Sequence, residues 1–199
     1  GGEMYANFEN GEVYCQDQFG RTEKPREWLL KEKPKVFPRP RDYCPCGSGH
    51  SFGNCCRDKS AHLRTSWTEK SIRERNMMFM DALTKLFELW TKDWDTIRRE
   101  MTDDKIDLMY RLYEGLWPLL TDLLALLPKP DGMMRSVYTG SLHPKLIMEF
   151  ALGAPLYFGE VIIQNPFLIS RTLPEDKRPT EHPRKYRGEA LKTLGCTPR

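Results

Sequence analysis

Apolar residues in this chain follow two different periods. Near the N-terminus they alternate. "MYANF" and "EVYCQDQF" flank "ENGE", and Asn10-Gly11 is a strong turn signal, so residues 3–19 read as a β-hairpin. From about Ser66 the period lengthens to that of a helix. Ile72, Phe79, Leu83, Leu86, Phe87 and Trp90 fall on one stripe of "SWTEKSIRERNMMFMDALTKLFELW". "DWDTIRREM" predicts a second, shorter helix. Thr102 followed by Asp103 and Asp104 reads as an N-cap with acids in the first turn. The helix behind it carries Ile106, Met109, Leu112, Tyr113, Leu116 and Trp117 at helical spacing, and Pro118 ends or kinks it. "TDLLALLPKP" adds a turn or two of helix before Pro128 and Pro130 stop it. "DGMM" reads as a loop. His143-Pro144 opens another helix, with Pro in the first turn, and Gly153 and Pro155 are expected to interrupt it. "EVIIQ" at 160–164 is a buried strand or a buried helix end; the period does not decide. A short helix is expected at 184–194.

These patterns predict a mainly α (α+β) fold. The expected organisation is a hairpin at 1–20, a basic connector at 21–43, a cysteine-rich knuckle at 44–60, a helical domain at 61–170 and a proline-rich, charged segment at 171–199. In the connector, "RTEKPREWLLKEKPKVFPRPRDY", Pro25, Pro34, Pro38 and Pro40 block a long helix, and "EWLLKE" leaves room for one short turn. No internal repeat is evident.

Composition adds bounds. The chain has 199 residues, of which 39% are hydrophobic and 11% aromatic, enough for a real core. Charged residues make up 30% but nearly cancel, to a net +3, so charge alone does not select a nucleic-acid partner. No apolar run reaches the roughly 18 residues of a membrane span. The polar, acidic start "GGEMYANFENGE" is unlike a signal peptide. Gly1-Gly2 reads as a cloning remnant, which leaves room for an upstream domain. A cytoplasmic, reducing location is therefore expected, where clustered cysteines act as metal ligands before they act as disulfides.

Four of the six cysteines lie between Cys44 and Cys56, in "CPCGSGHSFGNCC". Cys44 and Cys46 form one knuckle, Gly47-Ser48-Gly49 allows the tight turns behind it, and Cys55-Cys56 returns after eight residues. Four thiolates make a closed tetrahedral shell of structural type. An Fe–S cluster also takes four cysteines, but the tight loop suits a single small ion. Adjacent Cys55 and Cys56 cannot easily pair with each other as a disulfide. Arg41, Arg57 and Lys59 lie close enough in sequence to offset the negative charge of such a site. A segment this short buries too little apolar area to fold unaided, so metal binding would supply its order.

The same residues resemble the SEC-C motif, the zinc-binding module at the C-terminus of the preprotein-translocase ATPase SecA. Cys44, Pro45, Cys46, Gly47, Ser48, Gly49, Cys55 and Cys56 match its pattern, and Phe52 stands where the family usually has Tyr. The resemblance covers about 13 residues. It implies a structural Zn2+ on Cys44, Cys46, Cys55 and Cys56, a bacterial source and, by analogy with the docking of SecA on its export chaperone, a protein partner. The loop differs from the family's lysine-rich one: here it is His50, Ser51, Phe52, Gly53 and Asn54. Exposed His50, Ser51 and Phe52 would form any docking face. No phosphate-binding loop of the translocase motor is present, and residues 60–199 resemble no family we can name.

Other residues carry weaker signals. His50 is expected in solvent rather than on the metal. Cys15 and Cys196 stand alone, and His62, His143 and His182 are scattered, so no Cys/His site is assembled from them. Asp93/Asp95 and Asp103/Asp104 read as helix-end acids. Asn165 has no partner in sequence. Lys24, Arg26, Lys31, Lys33, Lys35, Arg39 and Arg41, interleaved with Trp28 and Phe37, could contact phosphates and bases, although a solvated linker is the plainer reading. Three functions remain in view: a zinc-binding structural or protein-interaction module on a helical domain; an enzyme or toxin-like effector with its site in the helical body or upstream; and a nucleic-acid or ribosome-binding module using the connector.

Overall fold

A computed structural model describes the backbone of residues 3–7, 12–16, 27–118, 121, 126–128, 132–138, 144–163 and 174–195. Strand β1 (Glu3–Asn7) pairs antiparallel with β2 (Glu12–Gln16), with Tyr5 opposite Tyr14. The Asn10-Gly11 turn lies outside the described residues.

The connector makes one short helical turn at Glu27–Leu29 and then lies along the segment that leads into the first long helix. Lys31 N–H donates to Thr68 O (3.0 Å) and Lys70 N–H to Leu29 O (2.8 Å), while Leu29 itself is buried in the main core.

Helix α1 (Ile72–Phe87) starts at a complete capping box. Ser71 Oγ accepts from the N–H of Glu74, and the Glu74 carboxylate accepts from the N–H of Ser71 (2.8 Å). Ile72, Phe79, Leu83 and Phe87 are buried along one face, as the spacing predicts. Trp90 is not: it is 66% exposed, and Leu89 takes the core position instead. The cause is Glu88, which ends the helix in the left-handed region (φ 53°) and breaks the helical period before Trp90 is reached.

Helix α2 (Trp94–Glu100) is capped by Asp93 and buries Ile97. Helix α3 (Asp103–Leu116) is capped by Thr102, whose Oγ1 accepts from the N–H of Lys105. It packs against α1 and buries Ile106, Met109, Tyr110, Tyr113 and Leu116. Phe79 meets Tyr113 edge to face with ring centres 6.0 Å apart.

Buried Arg75 fixes the junction of α1 and α3. Its guanidinium donates to Lys70 O (3.0 Å), to Leu116 O (2.9 Å) and to the Glu69 carboxylate (2.6 Å), and lies over the Trp117 ring at 5.2 Å. The carbonyl of Leu116 belongs to the last turn of α3, where a cation is favoured.

Beyond α3 the chain builds a β–α–β unit. Strand β3 (Arg135–Tyr138) runs parallel to β4 (Glu160–Ile163), joined by helix α4 (Pro144–Tyr157). This settles Glu160–Ile163 as strand, and Gln164 lies outside the described residues. Arg135, opposite Glu160 in the register, pairs with its carboxylate at 2.7 Å. Gly132, Met133 and Met134 carry no regular structure, as the loop reading of "DGMM" expects, and β3, which follows, is too short at four residues to stand out by period. One expectation changes here. Helix α4 is continuous through Gly153 and Pro155: Pro155 faces solvent, where a carbonyl that loses its helical donor can turn to water.

Helix α5 (Arg187–Gly195) returns to α3 and buries Ala190, Thr193 and Leu194. Tyr186, just before it, meets Tyr110 with ring centres 5.8 Å apart. The chain is thus mainly α, with small two-stranded sheets. Among the described residues no helix is long and apolar enough to cross a membrane.

Candidate metal centre

The knuckle is a short backbone fold before it is a site. Tyr43 bridges to Ser51 antiparallel. Cys44 N–H donates to His50 O (2.9 Å) and Phe52 N–H to Asp42 O (2.8 Å), which folds the chain back on itself. Gly47 (φ 76°) and Gly49 (φ 84°) take left-handed turns that L-residues with a Cβ avoid. The Phe52–Asn54 turn then returns Cys55 and Cys56 to the first pair.

The result brings the four sulfurs of Cys44, Cys46, Cys55 and Cys56 within 4.8 Å of one another. Cys46 Sγ and Cys55 Sγ are 3.5 Å apart, and Cys55 Sγ and Cys56 Sγ 3.8 Å. A disulfide needs about 2.05 Å, so these are free thiols. A tetrahedral zinc with bonds of about 2.3 Å has sulfur–sulfur edges of about 3.8 Å. The donor set and spacing therefore fit one small ion. Three of the four cysteines are buried. Among the described residues no other set of His, Cys, Asp or Glu donors gathers this closely.

The electrostatics point the same way. Burial pushes the Cys44 thiol up to about 11 and raises that of Cys56 further, where neighbouring Cys44 adds to the effect. Cys46 moves down instead. Burial opposes this, but the Ser48 hydroxyl and N–H, with Cys44 and Cys55, stabilise its thiolate. Holding Cys44 and Cys56 as thiolates against this burial needs a cation among the sulfurs. Of the three expected compensating cations, Arg57 instead forms a forked pair with exposed Asp58 (3.0 and 3.2 Å), Arg41 is exposed and Lys59 is half-buried.

The knuckle is docked on the helical body through its glycines. Ser71 Oγ donates to Gly47 O (3.1 Å). A Cβ built on Gly47 would come within 2.5 Å of Ser71 Oγ and would also strike the Glu74 carboxylate, and one on Gly49 would lie 2.7 Å from the Arg73 guanidinium carbon. Glycine is therefore required here for close approach to the first turn of α1 as well as for the turn itself. On the other side, Lys31 Nζ reaches the Glu74 carboxylate at 2.7 Å, so connector, knuckle and α1 meet at one carboxylate.

Phe52 lies beneath the cysteines and is 1% exposed. Its ring meets Phe37 (5.2 Å) and Trp67 (6.0 Å), and Trp67 packs against the sulfur cluster. This corrects the expectation that Phe52 is part of an exposed docking face: an aromatic ring at this position fills the floor of the knuckle. His50 is exposed and outside the sulfur cluster, and Ser51 is half-buried.

A cleft of about 600 Å3 opens between the knuckle and the β–α–β unit. Its lining includes Cys46, Cys55 and Cys56 from the knuckle, Ile72 and Arg73 from α1, and Met133 and Ile162.

The remaining candidates do not converge. His62 is exposed, and His182 is exposed with Nε2 2.8 Å from Asp176 O. Asp93 caps α2, Asp95 sits in its first turn, and Asp103 and Asp104 occupy the first turn of α3. The side chain of Cys15, and all of His143, Asn165 and Cys196, lie outside the described residues. Sequence reasoning did not single out Ser71, Glu74, Trp67 or Arg75. Ser71 and Glu74 had a visible signal, the S-x-x-E capping pattern before an apolar run; buried Arg75 and Trp67 had none.

Comparison with protein-family models, with curated proteins and with solved structures returned no match, so the likeness to SEC-C rests on residues 44–56.

Proposed function

We propose that this chain is a zinc-binding protein of SEC-C type in which Cys44, Cys46, Cys55 and Cys56 hold one structural Zn2+. The observation that carries this reading is the gathering of four mostly buried sulfurs within 4.8 Å, on a knuckle seated against the first turn of α1. When bound, the ion supplies charge compensation and the bonds that order the loop. Four sulfur donors leave no open position for substrate, which argues for a structural over a catalytic role.

This chain's own residues define what the staple joins. Gly47 and Gly49 let the knuckle approach α1. Ser71 holds Gly47 by hydrogen bond. Glu74 joins Lys31 of the connector to the helix cap. Phe52 and Trp67 close the apolar floor. Cysteines used as metal ligands suit a reducing, cytoplasmic compartment, and the likeness to SEC-C suits a bacterial source.

Replacing Cys55 by Ser tests the reading. Metal content and stability should fall together, while His50→Ser should change neither. A Cys55→Ser protein that keeps both full metal content and full stability would overturn it.

A further inference from the structure

We propose that the exposed stretch from Lys33 to Tyr43 binds single-stranded nucleic acid. This goes beyond the structural role assigned to the metal centre, although it uses the knuckle as a scaffold.

Three observations converge. The first is aromatic exposure: Tyr43 is 84% exposed and Phe37 64%, with Val36 beside it at 79%. Neither ring can be justified as core, and together they offer flat apolar surface to a ligand. The second is charge. Lys33, Lys35, Arg39 and Arg41 are all exposed, and none has an ion-pair partner among the described residues. With Asp42 as the single acid, residues 33–43 carry a formal +3, which equals the whole net charge of the chain. The rest of the molecule is balanced, so a polyanion would be drawn to this stretch.

The third observation is preorganisation. Pro34, Pro38 and Pro40 restrict the backbone. The Phe37 ring is held edge-on against buried Phe52 at 5.2 Å and leans on Trp67 at 6.2 Å. The Asp42 carboxylate accepts from the N–H of Arg39 (2.8 Å), so the acid inside the stretch is occupied by a local turn. The Tyr43 backbone is held by its bridge to Ser51 and by its place next to Cys44. A ring held in place, as Phe37 is, loses little freedom on binding.

Cations alone would suit any acidic surface. Solvent-facing rings on a constrained backbone, among unpaired cations, suit a strand whose bases are free to stack while its phosphates meet Lys and Arg. A duplex hides those base faces, and an acidic peptide has none.

The test is fluorescence anisotropy with labelled single strands of about twelve nucleotides, RNA and DNA in separate arms, against the zinc-loaded full chain. With about four phosphates engaged, affinity should fall about fifty-fold as salt rises fourfold. Alanine at both Lys35 and Arg39 should flatten that salt dependence by about 1.4 in the log–log slope. Tyr43→Ala should weaken binding by about tenfold, and Tyr43→Phe should restore it, because stacking needs the ring and not the hydroxyl. Zinc content and circular dichroism of each variant should match the parent, which separates failure here from failure of the metal site. Preference for the RNA arm would mark 2′-hydroxyl recognition, and equal arms would mark stacking and phosphate contacts only; both support the proposal. No binding of either strand at low salt by folded, zinc-loaded protein would overturn it. So would a Tyr43→Ala variant that binds as well as the parent, or equal competition by polyglutamate, since either result would show a generic polyanion surface.

Discussion

Gly47→Ala probes the seat of the knuckle on α1. Three costs can be worked from the structure. Gly47 has φ +76°, and an L-residue in that region costs about 1–2 kcal/mol. The new methyl would stand within 2.5 Å of Ser71 Oγ and strike the Glu74 carboxylate. Glu74 can rotate away, but it then abandons the Ser71 N–H (2.8 Å) and Lys31 (2.7 Å). Loss of half a capping box costs about 1 kcal/mol, and loss of a half-screened ion pair about 0.5 kcal/mol more. The total is about 3 kcal/mol. Urea unfolding of zinc-saturated protein measures it, and a second background isolates the contact. In a Glu74→Ala protein the carboxylate is already gone, so Gly47→Ala should cost only the backbone and Ser71 part, about 1–2 kcal/mol, giving a coupling above 1 kcal/mol between the two sites. Equal losses in both backgrounds would refute the claim that the knuckle rests on Glu74. A loss under about 0.5 kcal/mol would refute the close approach itself.

Two further results should follow. Burial alone would raise the Glu74 carboxyl, but Lys31 and the Ser71 N–H outweigh it and hold it below its ordinary value of 4.5. Its contribution is therefore complete above pH 4.5 and is lost as pH falls through the lower folded value; the stability gap between the parent and Glu74→Gln should shrink over that window, and a gap that widens on acidification would contradict the assignment. Arg75→Met should destabilise by about 3 kcal/mol in urea unfolding, because it strips the buried Leu116 carbonyl and the part-buried Lys70 carbonyl of a charged donor; a change under about 1 kcal/mol would show that the guanidinium is not what joins α1 to α3.

Much of the helical body was legible in the sequence because burial repeats with the helical period. Phe79, Leu83 and Phe87 of α1 and Ile106, Met109 and Tyr113 of α3 lie where spacing puts them. The period failed where one residue left the helix: Glu88 in the left-handed region placed Leu89 inside and Trp90 outside. It also failed where elements were short or broke local rules, as with four-residue β3 and with α4, which runs through Pro155. The clustering of the cysteines was legible for a different reason. Their spacing is local, and Gly-Ser-Gly leaves the chain few ways to turn. What the spacing could not show was which way Phe52 points, or that Gly47 faces Glu74, because both depend on residues well downstream, Trp67 and Glu74, meeting the loop.

The most direct test is the metal content of the purified, folded chain, measured by elemental analysis alongside thermal unfolding before and after chelation. The account predicts equimolar zinc, with metal removal lowering the unfolding temperature and freeing the connector and knuckle from α1. A well-folded chain that holds neither zinc nor iron, and whose unfolding is unmoved by chelator, would contradict it.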